Sequence, residues 1–247
     1  MKTFGLLGFP LSHSFSPNYF KQKFDKEQIK DSQYLLFEYE HLEGIKKKMA
    51  IIPNLMGFNV TIPFKEKIIP FLDRIDPIAA KVGAVNTVKI ENGNWIGYNT
   101  DVIGFEKTLI NFLNQNNKNP TLNALVLGNG GASKAITFVL KKLGIPYYLV
   151  SRKKLVDTIT YEEITHDIII STQLIINTTP IGTFPNITYS PTLPYKSLTS
   201  KHLLYDLVYN PNITTFLQKG IESGSKTING YPMLVEQAEL AWTIWNS

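Results

Sequence analysis

A strand that runs straight into a glycine turn and then a helix leaves few folds open. Residues 123–144, NALVLGNGGASKAITFVLKKLG, have that form. Ala124 to Leu127 are all apolar, as in a strand buried on both faces. Gly128, Asn129, Gly130, Gly131, Ala132 and Ser133 follow, and an amphipathic run then opens on small residues. Glycines permit a tight turn and let the backbone approach a pyrophosphate. The helix N-terminus adds N–H groups and the positive end of a dipole. Ser133 stands where G-x-G-x-x-G has its third glycine, so the strict pattern fails. On this stretch alone a purely structural turn stays open. Roughly 20 residues past the glycines, a NAD-binding chain places an acid. This chain has Ser151, Arg152, Lys153 and Lys154 there. A guanidinium suits a 2′-phosphate, which favours NADP over NAD.

The same alternation fills the chain. Strands are expected at TFGLLG, YLLFEYE, LMGFNVTI, AVNTVKI, NWIGYN, NALVLG, PYYLVS, LIINTT and LLYDLV. Helices are expected at Pro17–Phe24, Leu42–Met49, Pro63–Leu72 and Val102–Leu113. The rhythm predicts an α/β fold with mainly parallel sheets. Asn92-Gly93 marks one hairpin. The polar run NQNNKNPTLN, residues 114–123, reads as a linker or long loop before a new unit.

Length and composition allow one large domain or two modest ones, with a sizeable core: 247 residues, 43% of them hydrophobic. No apolar run has membrane-spanning length, and the first residues read as a strand, so no membrane partner is expected. The absence of cysteine excludes disulfides, thiolate metal sites and cysteine nucleophiles, and fits a cytoplasmic location. His13, His41, His166 and His202 lack metal-ligand spacing, so no metal is expected. The net charge of +5 comes from scattered lysines, which points away from nucleic acid and toward a small anionic ligand.

Several polar clusters follow strands. Ser14 and Ser16 precede Pro17. Ser16 suits a helix N-cap, and the two hydroxyls together could clasp a carboxylate. Asn59 and Thr61 alternate along a strand and share one face. Lys65 then falls in the first turn of the helix expected from Pro63. The dipole there and partial burial would both favour a neutral amine, as proton transfer requires. Asn86 opens the hairpin. Asn99 and Asp101 close it, Asp101 being either a helix cap or a partner for Lys65.

With these residues in view, the chain resembles the shikimate dehydrogenase family. The blocks that carry the resemblance are GFPLSHSFSP (8–17), GFNVTIPFK (57–65), GAVNT (83–87), GYNTD (97–101), GNGGASKA (128–135), NTTPIG (177–182), DLVYNPNITTF (206–216) and NGYPMLVEQA (229–238). It implies reversible NADPH-dependent reduction of 3-dehydroshikimate to shikimate, in aromatic amino-acid biosynthesis. It implies a substrate domain over 1–101, completed by a C-terminal helix over 228–247. A Rossmann-like NADP-binding domain would occupy 102–227, with the chemistry in the cleft between the two. Ser14 and Ser16 would bind the substrate carboxylate. Thr61, Asn86, Asp101 and Gln237 would bind its hydroxyls, and Tyr209 would close one side of the pocket. Lys65 and Asp101 would form the catalytic pair. Gly128, Asn129, Gly130, Gly131, Ala132 and Thr178 would hold the dinucleotide. Ser151, Arg152 and Lys153 would meet its 2′-phosphate end, with Gly230 and Met233 beside the nicotinamide. Rival readings are a dual quinate/shikimate dehydrogenase, another NADP dehydrogenase of similar plan, and a non-catalytic sensor of the same fold. Monomer and homodimer are both open.

Overall fold

The computed structural model describes residues 1–12, 14–116 and 122–247. His13 and the middle of the polar 114–123 segment lie outside them. The chain divides into two compact units, Met1–Thr100 with Gln237–Ser247, and Asp101–Glu236.

The first unit contains β1 (Lys2–Gly8), α1 (Ser16–Lys26), β2 (Ser32–Glu38), α2 (Ile45–Ala50), β3 (Gly57–Val60), β4 (Arg74–Ile75), α3 (Pro77–Val82), β5 (Thr87–Glu91) and β6 (Asn94–Tyr98). Its sheet runs β2-β1-β3-β5-β6-β4. Strand β1 pairs in parallel with both β2 and β3, β4 is parallel to β6, and β3-β5 and β5-β6 are antiparallel. The β5-β6 turn has Asn92 and Gly93 both at positive φ, 51° and 80°, as an Asn-Gly hairpin turn requires. On one face Leu7, Phe58, Val60 and Val88 pack with Ile45 and Met49 of α2. On the other, Phe4 meets Phe20 and Phe24 of α1 and Trp245 from the end of the chain. Gly57 has to be glycine here: a Cβ would lie 2.4 Å from the Trp245 ring, whose Nε1 donates to the Val88 carbonyl at 3.0 Å.

Two local expectations are corrected. Pro63–Leu72 is not an α-helix but a series of turns ending in a short 3-10 helix, Ile69–Phe71. Pro70 lacks the N–H that would bond the Glu66 carbonyl, and that carbonyl accepts from Ile69 instead (3.3 Å). Lys65 therefore has no α-helix dipole behind it. Helix α1 also starts one residue early: Phe15, not Ser16, stands at its N-cap, and no side chain caps it.

The second unit contains α4 (Thr100–Gln115, whose first residue belongs to the first unit), β7 (Ala124–Leu127), α5 (Gly131–Lys142), β8 (Tyr147–Ser151), β9 (Thr158–Thr160), α6 (His166–Ser171), β10 (Leu174–Asn177), β11 (Leu203–Asp206), α7 (Thr215–Glu222) and β12 (Lys226–Ile228). Helix α8 (Tyr231–Asn246) begins in this unit and ends in the first. The sheet runs β12-β11-β10-β7-β8-β9, with every pair parallel. Fully buried Leu125, Leu127, Val150, Ile175 and Leu204 explain the unbroken apolar runs of these strands.

Each sheet has a place where successive connections leave in opposite directions. In the first it lies between β1 and β3, in the second between β7 and β10. Open α/β sheets bind ligands outside the carboxyl ends of the strands at such points.

Candidate active site

At the carboxyl ends of β1 and β3 the first unit gathers a polar cluster. Ser14 and Ser16 are half-buried, and the Ser14 N–H closes a turn onto the Leu11 carbonyl at 3.0 Å. Thr61 lies beside Gly8, where a Cβ would stand 2.4 Å from the Thr61 methyl. Glycine at position 8 thus lets the two strand ends close up. Lys65 is half-buried, and its carbonyl accepts from the Val85 N–H at 2.7 Å.

Next to Val85 begins a buried hydrogen-bond network. Asn86 Oδ1 accepts from the Thr100 N–H at 2.7 Å. Asn86 Nδ2 donates to Thr100 Oγ1 (2.9 Å) and to Gln237 Oε1 (3.2 Å). Asn59 Nδ2 donates to Thr87 Oγ1 (3.0 Å) and to the Asn86 carbonyl (3.3 Å). Asn59, Asn86, Thr87 and Thr100 are all buried. Buried polar groups need such partners, and a fully satisfied network fixes one geometry. Asn86 thus ties together the residue before Asp101 and Gln237 from the far end of the chain. Asp101 itself is buried in the first turn of α4.

Gln237 is carried by α8, which is clamped to α1. Buried Lys23 pairs with Glu239 (2.7 Å) and Glu27 (2.6 Å), and the Tyr19 hydroxyl donates to Glu239. Burial alone would disfavour the Lys23 ammonium, but the two carboxylates overcome it and hold its pKa above the ordinary value.

The second unit offers a site of different make. Gly128 ends β7 at φ 101°, a conformation that favours glycine, and a Cβ there would lie 2.7 Å from the Thr179 methyl. Thr178 Oγ1 donates back to the Leu127 carbonyl at 2.7 Å. At Gly130 a Cβ would meet nothing within 4 Å; it would stand in open space over the turn. Half-buried Gly131 and Ala132 then open α5. Ser133 replaces a glycine without disturbing this: its hydroxyl folds back onto the Gly130 carbonyl at 2.7 Å and is buried. Exposed backbone at a helix N-terminus, with room above it, fits a pyrophosphate.

At the end of β8 the Ser151 hydroxyl turns inward, to the Lys153 carbonyl and to Thr158 Oγ1 (3.3 Å). Arg152 and Lys153 are exposed, whereas Lys154 pairs with Glu163 at 2.7 Å. The positive charge next to the turn therefore rests on Arg152 and Lys153. Gly230 is pressed on the 207–208 backbone: a Cβ would sit 2.0 Å from the Leu207 carbonyl oxygen, and its N–H donates to Val208 O at 3.1 Å. Tyr209 follows in the same loop and is half-buried, and Met233 is buried in α8.

Sequence reasoning passed over Asp206, at the end of β11. It is fully buried, and its carboxylate accepts from Asn177 Nδ2 (2.9 Å), the Val208 N–H (3.0 Å) and Thr214 Oγ1 (2.6 Å). Burial raises its pKa from 3.8 to about 6, against the pull of those donors. Asn177 in turn accepts from the Thr179 N–H (3.0 Å) and hydroxyl (2.6 Å). Asp206 so braces the loops that carry Thr178 and Tyr209. The available signal was a carboxylate inside the apolar run LLYDLV. Asn59 and Tyr34 also lacked a role in the expected site. Among the described residues, no helix is long and apolar enough to cross a membrane.

Comparison with known proteins identifies the family. Residues 6–88 match the family model described as the shikimate dehydrogenase substrate binding domain. A curated protein of Methanococcus maripaludis named shikimate dehydrogenase (NADP(+)) is 39% identical, over 99% of this chain and 91% of its own length. Among solved structures, shikimate dehydrogenase 1 of Peptoclostridium difficile superposes with a TM-score of 0.85 at 39% identity, covering 100% of this chain and 92% of that one. The Thermus thermophilus shikimate 5-dehydrogenase, solved with NADP(H) and shikimate, gives a TM-score of 0.84 at 30% identity, over 99% and 93% of the two chains. The chain belongs to the shikimate dehydrogenase family.

Proposed function

We propose that this chain catalyses the reversible, NADP-dependent interconversion of shikimate and 3-dehydroshikimate, an oxidoreductase reaction at a CH–OH group in aromatic amino-acid biosynthesis. The observation that carries the reading is the Asn86–Gln237 hydrogen bond. Two residues expected to bind substrate hydroxyls are joined across 151 positions of chain. The family and the names of the relatives point the same way, and a cytoplasmic location fits a cysteine-free biosynthetic enzyme.

Under this reading, residues 1–100 with the end of α8 bind the substrate. Ser14 and Ser16 receive its carboxylate, Thr61, Asn86, Asp101 and Gln237 its hydroxyls, and Tyr209 closes one side. Residues 128–132 receive the pyrophosphate of NADP, with Thr178 behind the turn. Arg152 and Lys153 meet the 2′-phosphate by charge-assisted hydrogen bonds, and Gly230 and Met233 border the nicotinamide. The bound cofactor supplies or accepts hydride at nicotinamide C4. The Lys65 ammonium stabilises the negative charge that develops on the carbonyl oxygen during reduction and supplies the proton. Asp101 holds that ammonium by its opposite charge. In the reverse direction the same pair takes the hydroxyl proton.

The test is absorbance at the nicotinamide band with shikimate and NADP⁺, beside parallel reactions with quinate and with NAD⁺. Reduction of NADP⁺ by shikimate is expected. Tight shikimate binding without turnover would sink the catalytic reading.

A further inference from the structure

Tyr34 lies on edge strand β2, outside the expected site. Its hydroxyl donates to Asn59 Oδ1 at 2.8 Å and is hydrogen-bonded with Ser16. Its ring stacks on the fully buried Phe20 of α1, with centroids 4.3 Å apart and planes 11° apart. The ring is thus fixed from one side and the hydroxyl from the other. Burial pushes its ionisation far above the ordinary tyrosine range, so it stays a neutral hydroxyl at every working pH.

The bond to Tyr34 also decides which way the Asn59 amide points. With Oδ1 taken by the phenol, Nδ2 faces Thr87 and the Asn86 carbonyl. A single hydroxyl therefore connects Ser16, at the start of α1, to the buried network that ends at Gln237.

We infer that Tyr34 is a positioning residue for the carboxylate end of the substrate, setting the Ser16 hydroxyl in register with the Asn86–Gln237 end that holds the ring hydroxyls. The inference rests on the proposed role of Ser16. Phenylalanine would fill the same space beside Phe20, but it would link neither Ser16 nor Asn59.

The test compares Tyr34→Phe, Ser16→Ala and the double variant, with shikimate and with its methyl ester as substrates. Tyr34→Phe is expected to raise the shikimate KM about tenfold, the size of one hydrogen bond. It should leave kcat within about twofold and the NADP⁺ KM unchanged, and the ester should show little effect. The double variant should be no worse than the worse single one, since Tyr34 acts through Ser16. An unchanged shikimate KM, or an equal rise for acid and ester, overturns the role of Tyr34. If Ser16→Ala leaves the shikimate KM unchanged, the carboxylate role of Ser16 falls instead, and the two failures are distinguishable. Should Tyr34→Phe not fold, Phe20→Leu keeps the hydroxyl but removes the stacked ring. A smaller rise confined to the acid then supports the inference, and no rise overturns it.

Discussion

The two units build their polar clusters from different materials. In the first, the polar atoms belong to side chains: buried Asn59, Asn86, Thr87 and Thr100 bond to one another and to half-buried Gln237. In the second, the turn at 128–131 presents backbone, shaped by glycines and a helix terminus, and leaves the discriminating charge to exposed Arg152 and Lys153. A side-chain network has one good arrangement and tolerates little change. A backbone cradle persists under most substitutions except at its glycines, and its selectivity is adjusted at the surface.

The comparison can be broken in order of expected effect. Lys65→Ala should lower kcat by roughly 10²–10⁴, the usual range for a general acid–base group, with far less change in shikimate affinity by calorimetry. A variant with near-normal turnover would remove Lys65 from the chemistry. Asp206 tests a buried carboxyl of the second unit. Its folded pKa of about 6 lies above the ordinary 3.8, so its stabilising share is complete below about pH 4 and lost as the pH rises through 6. Relative to Asp206→Asn, the parent protein should gain stability as the pH falls from 7 to 4, by an amount on the order of 3 kcal/mol. Urea denaturation at each pH reads this, and a flat difference would refute it. Asn86→Ala strands the Thr100 N–H and should cost about 1–3 kcal/mol of stability together with a raised shikimate KM. A loss of neither would mean that the network is ornamental. The mildest case is Arg152→Ala: the NADP⁺ KM should rise about tenfold while the NAD⁺ KM stays put. An equal rise for both cofactors would take Arg152 off the 2′-phosphate.

The same contrast explains what could be read from the chain. Strand β7, the glycine turn and α5 are contiguous, so pattern alone exposes them, as it does the Asn92-Gly93 hairpin. The Asn86–Gln237 contact spans 151 positions and the Tyr34–Asn59 contact 25. Neither contact has a local signal; the resemblance gave Asn86 its role and named Gln237, and Tyr34 and Asn59 stayed outside the expected site. The helix expected over Pro63–Leu72 failed because periodicity took no account of the donor missing at Pro70. Strands β4, β9 and β12 have only two or three residues each, too few for an alternating pattern to register.

The return of α8 to the first unit has a consequence for biosynthesis. Ala238, Ala241 and Trp245 complete the packing around Phe4 and Phe20, yet they leave the ribosome only after the second unit. At roughly 5–20 residues per second, the N-terminal sheet waits on the order of ten seconds with one flank bare while the whole second unit is translated. A sheet made ahead of the second unit is therefore completed only behind it, and over that interval it is in need of a chaperone.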